Sequence, residues 1–328
     1  MDSKDNDVWN DYSNSLMLYE RIENLYNDHL IEKSKLNEQN KELINNNMTH
    51  VQRETKNVIR NKDMIKTNMY NYDIINYYND EFILKKKVME LSEDIMMGID
   101  YIYDIFRLCK ESNVFLSFNG GKDAVVILHL FRCAYAKYLK DMNIKRKKPQ
   151  LIYFKDEMNE FPEVYQFLNE SAFMFDFHIS IIKGTWKNGI TNFIENVQKK
   201  YQITIIDQLK TNSIDPTIFY STLAFINGTR FNDTNTEKLQ ILNVSSRGLP
   251  PYLYVNPVFY WTYGAIWTFI LYFKFNYCIL YDHGYSSIGS IKDTVKNEFL
   301  KCNDCYLPAY FLKNWNYERY NRIQPNDK

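Results

Sequence analysis

A chain of 328 residues, 45% of them hydrophobic, is long enough for one large domain or two with a substantial core. Its 40 basic residues are matched by 40 acidic ones, which argues against a general nucleic-acid binder or a membrane-surface protein. Five cysteines are too few for a disulfide framework, the start has no apolar signal region, and Lys274 interrupts the longest apolar run. These features predict a cytoplasmic protein with no membrane partner.

Residues 1–81 are polar, Asn-rich and free of glycine, and read as a helical or partly disordered extension. Ile44, Val51, Val58 and Ile65 recur every seven residues, with Met48 and Met69 between them, and Ile22, Leu36 and Leu43 suggest an earlier seam with His29 in its gap. Thr55 and Lys62 break the heptads. The extension is either a homo-oligomerisation or partner-binding arm, or a solvated tail. From Leu84 the pattern tightens. Leu84, Val88, Leu91, Ile95, Ile99, Ile102, Phe106 and Cys109 fall on one helical face, so a catalytic domain is expected over residues 82–328.

Val114-Phe115-Leu116-Ser117 reads as a strand, Asn119-Gly120-Gly121 as a turn, and Lys122 to about Leu139 as a buried helix. A strand, a glycine turn and a helix in that order cradle a phosphate. Backbone N–H groups converge, the helix N-terminus adds partial positive charge, and glycine lets an anion approach. This is not the Walker pattern, because Asp123 follows Lys122. Further strands are expected at Leu151–Phe154, Phe177–Ile182 and Leu223–Asn227, with helices from Pro162 and over Ile190–Tyr201. The polar stretch Gln208–Tyr220 lies outside this alternation. Alternating strands and helices predict an α/β fold with a mostly parallel twisted sheet and helices on both faces. Ligands then bind at the carboxyl ends of the strands, where the cradle, Asp156 and Gly228-Thr229-Arg230 would gather.

Gly228-Thr229-Arg230-Phe231-Asn232-Asp233 presents a planar guanidinium suited to phosphate and a carboxylate suited to Mg²⁺. Glu318-Arg319-Tyr320-Asn321-Arg322 would set two guanidinium groups on one helical face. Cys302-Asn303-Asp304-Cys305 lacks a second ligand pair and reads as incidental.

The string Leu116-Ser117-Phe118-Asn119-Gly120-Gly121-Lys122-Asp123 resembles the pyrophosphate loop (PP-loop) of the adenine-nucleotide α-hydrolase superfamily. Within it, the string resembles the eukaryotic FAD synthetases (FMN adenylyltransferases) and the related phosphoadenylylsulfate reductases. The Gly228–Asp233 loop is similar to the synthetases, as are Asn256-Pro257 with Trp261-Thr262-Tyr263, the run Tyr277–Ser290, which the reductase relatives share, and the late arginine pair. Tyr254 and Tyr260 depart from the family, which usually has Arg and Asp there. The resemblance implies a Rossmann-like fold and transfer of AMP from ATP to FMN, giving FAD and pyrophosphate, with Mg²⁺. It implies that Asn119, Lys122, Asp123, Arg230, Asp233, Arg319 and Arg322 carry the chemistry. Asp123 and Asp233 would hold the metal. Ser117, Gly120, Gly121, Asp156, Gly228, Asn256, Trp261, Ser287, Ile288 and Gly289 would contact ATP, FMN or FAD. The alternatives are a phosphoadenylylsulfate reductase-like or other PP-loop ATP pyrophosphatase, and a non-catalytic nucleotide- or flavin-binding protein.

Overall fold

Val114 and Leu116 face one way and Phe115 the other, and this alternation sets two core layers around a sheet. The computed structural model describes residues 3–47, 80–156, 158–183, 186–211 and 222–323. In chain order the longer elements are α1 (Ser3–Asn47), α2 (Glu81–Glu90), α3 (Ser92–Cys109), β1 (Val114–Ser117), α4 (Lys122–Met142) and β2 (Gln150–Lys155). Next come α5 (Pro162–Met174), β3 (His178–Lys183), α6 (Trp186–Thr211), β4 (Ala224–Ile226), β5 (Leu242–Val244), β6 (Leu253–Val255) and α7 (Tyr263–Tyr272). A two-stranded hairpin, β7 (Lys301–Cys302) and β8 (Cys305–Tyr306), and several 3₁₀ turns complete the fold.

The main sheet has the order β3-β2-β1-β4-β6-β5. Every pairing in it is parallel except β5 with β6 at the edge. The expected α/β class is therefore the observed one. On one face Val114, Leu116, Leu151, Tyr153, Ala224 and Ile226 join the larger core with α3, α4, α5 and α7. On the other, Phe115, Ile152 and Phe225 pack with Ile190 and Ile194 of α6. The chain leaves β1 toward β2 and β3, then returns to β1's other side with β4. The switch point thus lies between β1 and β4.

Two expectations are corrected. The helix expected over Ile190–Tyr201 is longer at both ends and runs from Trp186 to Thr211. The C-terminal arginine pair does not lie on an α-helix. Trp315–Tyr317 is a single 3₁₀ turn, and Arg322 instead bridges to Thr294 as extended chain.

The first helix is more than an appendage. Tyr19, Ile22 and Leu25 are buried in the larger core, and Ser15 accepts a 3.0 Å hydrogen bond from Arg132 of α4. Arg21 lies 5.1 Å from the Tyr272 ring. The seam expected to pass through Leu36 does not form there, because Leu36 is exposed. Val51, Val58, Ile65, Met48 and Met69 lie outside the described residues, as does Gln208–Tyr220 beyond Thr211.

Candidate active site

The turn after β1 is built by its glycines. Gly120 has φ +71°, the left-handed region that glycine occupies without penalty. A side chain there would also press on Val164. Gly121 caps α4 in extended conformation, and its N–H donates to Asn119 Oδ1 at 3.0 Å. The next N–H, of Lys122, donates to the Tyr281 hydroxyl at 2.9 Å. Two of the N–H groups at the cradle are thus held by side-chain oxygens.

Across the switch point, the loop after β4 comes so close that a Cβ on Gly228 would meet the Asp123 carbonyl carbon at 3.0 Å and the Ala124 nitrogen at 3.1 Å. Arg230 Nε then reaches Asp123 Oδ1 at 2.7 Å. Its own backbone N–H donates to Asp233 Oδ2 at 2.8 Å, which folds the loop into a turn. Lys122 Nζ sits 3.1 Å from Asp123 Oδ2.

The partner that completes this cluster was not singled out from the sequence. Glu318 Oε1 accepts from Lys122 Nζ at 2.5 Å and also from an Arg230 terminal nitrogen. Lys122 is 2% and Arg230 1% exposed, so the two cations lie beneath the cradle, balanced by Asp123 and Glu318. Burial alone would raise the Glu318 carboxyl. The Lys122 ammonium and the Arg230 guanidinium override it and hold the group well below the usual carboxylate range. For Lys122, burial works against the charged form, but Asp123 and Glu318 outweigh it and keep the ammonium protonated.

Asp233 behaves differently. Burial, and next the charge of Asp123, raise its carboxyl above the usual range. Arg319 reaches Asp233 Oδ1 at 3.3 Å. Arg322 goes elsewhere, to Asp293 at 3.1 Å, with its guanidinium lying where a Gly289 side chain would stand. The two arginines therefore serve different carboxylates.

The segment bearing them is fastened as a strap. Tyr263 donates to the Ala309 carbonyl at 2.7 Å, and Trp315 lies over Gly264. Ser286 donates to the Glu318 carbonyl at 2.7 Å, and Asn321 donates to the Ser287 carbonyl at 2.9 Å. Ser287, Ile288 and Gly289 are thus joined to the cluster through this strap.

Other expected site residues lie apart from the cluster. Asp156 is exposed beyond β2 and binds Asn159 at 2.9 Å. Asn256 is fully buried, with its amide N–H on the Gln240 carbonyl at 3.0 Å. Trp261 is buried edge-on against Phe269, 5.9 Å between ring centres. Tyr254 shares a 2.7 Å hydrogen bond with Thr229 beside Arg230, while Tyr260 is exposed. Cys302 and Cys305 face each other across their hairpin. Among the described residues, no group of three or more His, Cys, Asp or Glu is arranged to hold a metal, and no helix is long and apolar enough to cross a membrane. A cavity of about 530 Å³ lies well along α4 from the cradle, lined by His129, Arg132, Phe175, Lys274 and Asp282, away from the strand ends.

Residues 113–296, more than half of the chain, match the phosphoadenosine phosphosulfate reductase domain family. The chain belongs to that family. The match to the reductase-domain family spans both the cradle and the Gly228–Asp233 loop. The chain is 28% identical over 242 residues to a "Probable FAD synthase" of Schizosaccharomyces pombe, covering 72% of this chain and 82% of the relative. It is 29% identical over 256 residues to a "Probable FAD synthase" of Caenorhabditis briggsae, covering 76% of this chain but 42% of that longer protein. Its fold is similar to that of Candida glabrata FMN adenylyltransferase in complex with FAD and inorganic pyrophosphate. The TM-score is 0.60 and the identity 17%, with 76% of this chain and 96% of that one covered.

Proposed function

We propose that this chain transfers the AMP of ATP to FMN, giving FAD and pyrophosphate. The observation that carries the reading is the junction, at one switch point, of a glycine cradle with a loop holding Arg230 and Asp233. The similarity to FAD synthases supplies the acceptor.

An FMN phosphate oxygen is already anionic at neutral pH, so its attack on the ATP α-phosphorus needs no protein base. Catalysis rests on alignment and charge neutralisation. The β- and γ-phosphates lie in the Ser117–Asp123 cradle and compete with Asn119 Oδ1 and the Tyr281 hydroxyl for the N–H groups of Gly121 and Lys122. Asn119, once displaced, orients the α-phosphate. Lys122 and Arg230 act from below as a buried positive field, and Arg319 and Arg322 close the site from the strap. Ser287, Ile288 and Gly289 frame the nucleotide and flavin, Asp156 is open to them at the exposed end of β2, and the buried Asn256 and Trp261 support the site by packing.

The residues present fit Mg²⁺. Asp123 and Asp233 both meet Arg230, one at its Nε and the other at its backbone N–H, so two carboxylates stand at one loop. Mg²⁺ needs only one or two carboxylates plus substrate phosphate oxygens. Bound there, it would supply neutralisation of the phosphate charge.

Incubation with ATP, Mg²⁺ and FMN should give FAD and pyrophosphate in equal amounts. Pyrophosphate without FAD, or sulfite released from phosphoadenylylsulfate, overturns the reading. Asp233→Ala should lower turnover about a hundredfold with an unchanged circular dichroism spectrum; a normal rate removes Asp233 from its role. The cytosol, where free thiols stay reduced, is the compartment this reading expects. A homo-oligomer would use the outer side of α1, where Leu30, Ile31 and Leu36 are exposed. If replacing these three by serine leaves the mass in solution unchanged, that arm is not an interface.

A further inference from the structure

A single carboxylate oxygen of Glu318 serves both buried cations of the site, Lys122 and Arg230. Asp123 takes the other side of the same pair. Two carboxylates therefore offset much of the positive charge of this pair beneath the cradle. Had the cluster only to attract phosphate, Asp123 would suffice as a clamp and the second carboxylate would oppose binding. Glu318 is also the one member of this cluster that comes from the strap. It is buried at 7% exposure and held through its backbone by Ser286.

We propose that Glu318 is a positioning residue that limits the positive field of Lys122 and Arg230, so that the cradle releases pyrophosphate after AMP transfer. The proposal rests on the AMP-transfer reading above. Inside a low-dielectric cluster one carboxylate is worth a large factor in anion affinity. Its removal leaves an uncompensated cation pair under the cradle. Glutamine in its place keeps an acceptor oxygen for both cations and removes only the charge. The sign of the effect separates this role from a structural one: a merely supporting residue, when altered, weakens ligand binding, whereas a charge limiter strengthens it.

The test is titration calorimetry of the full chain with inorganic pyrophosphate and Mg²⁺, for the wild type, Glu318→Gln, and the double variant Lys122→Met with Glu318→Gln. The single variant should bind pyrophosphate about tenfold tighter or more. In steady state it should show lower KM for ATP and lower kcat together, as expected when product leaves slowly. The double variant restores the charge balance, and its pyrophosphate affinity should return to within about threefold of the wild type. Unchanged or weaker pyrophosphate binding by folded Glu318→Gln overturns the proposal. If the single variant does not fold, a double variant that departs from wild-type affinity by tenfold or more overturns it as well. A wild type that makes no FAD defeats the AMP-transfer reading instead; FAD synthesis without tightening defeats only the role of Glu318.

Discussion

Gly228 shows how narrowly the site is drawn at the residue scale. A methyl group there would press on backbone atoms of Asp123 and Ala124, which cannot swing aside. Gly228→Ala should therefore destabilise the fold by about 1–3 kcal/mol and part Arg230 from Asp123, read as a lower melting temperature and lower turnover. Gly289→Ala meets only the end of the Arg322 side chain, which can move, so its melting temperature should stay close to the wild type. Buried His129 carries a pH dependence. Its ring stacks on Phe275, 3.4 Å between centres, and burial, then the Arg132 charge, hold it neutral far below the usual histidine range. The unfolded chain takes up that proton near pH 6.5, the folded chain only well below. His129 thus leaves stability intact above about pH 6.5, and stability falls as the pH drops below that value. The melting temperature should decline from about pH 7 to about pH 5.5, and His129→Phe should flatten the slope; an unchanged slope assigns it elsewhere. The sequence made the cradle and the Arg230 loop legible because glycine spacing and strand ends are local signals. Glu318 was not legible. One acid in a polar run looks solvated until the fold buries it against two cations more than eighty residues away.

Among the elements, α1 and the strap departed furthest from expectation, for different reasons. Among the described residues, the docking face of α1 buries Ser15, Tyr19, Ile22 and Leu25, with Tyr12 and Leu18 packed beside them, a short patch within a helix of 45 residues. So brief a stripe is lost in a polar sequence, where the heptads from Ile44 onward are the more regular pattern. Ile22 is fully buried, so Ile22→Ala should cost about 2–4 kcal/mol, measured by urea unfolding. A loss under about 0.5 kcal/mol would mean that α1 docks only loosely. In the strap, the three-residue spacing of Arg319 and Arg322 suits one side of a helix. What the chain adopts there is set by tertiary partners, Asp233 for one arginine and Asp293 with Gly289 for the other. Spacing alone could not distinguish the two outcomes. The parallel sheet was easier to read, because its buried strands are nearly continuous apolar runs bounded by turns.

At the scale of the whole molecule, one continuous core links Tyr19 near the start with Leu312 near the strap. Melting followed by far-ultraviolet dichroism, dominated by helices such as α1, should therefore coincide with melting followed by tryptophan fluorescence of a Trp9→Phe variant, in which the buried Trp261 and Trp267 report the core and no tryptophan lies in α1. Two separated midpoints would show that α1 unfolds alone. The same continuity bears on how the protein is made. Translation runs from N- to C-terminus, so every strand of the main sheet leaves the ribosome before Glu318 does. The sheet can close over Lys122 and Arg230 while Asp123 and Asp233 alone of the cluster's carboxylates have been made. A nascent chain in that interval holds an uncovered anion site, and the arrival of the strap both covers it and brings the Glu318 carboxylate to its two buried cations.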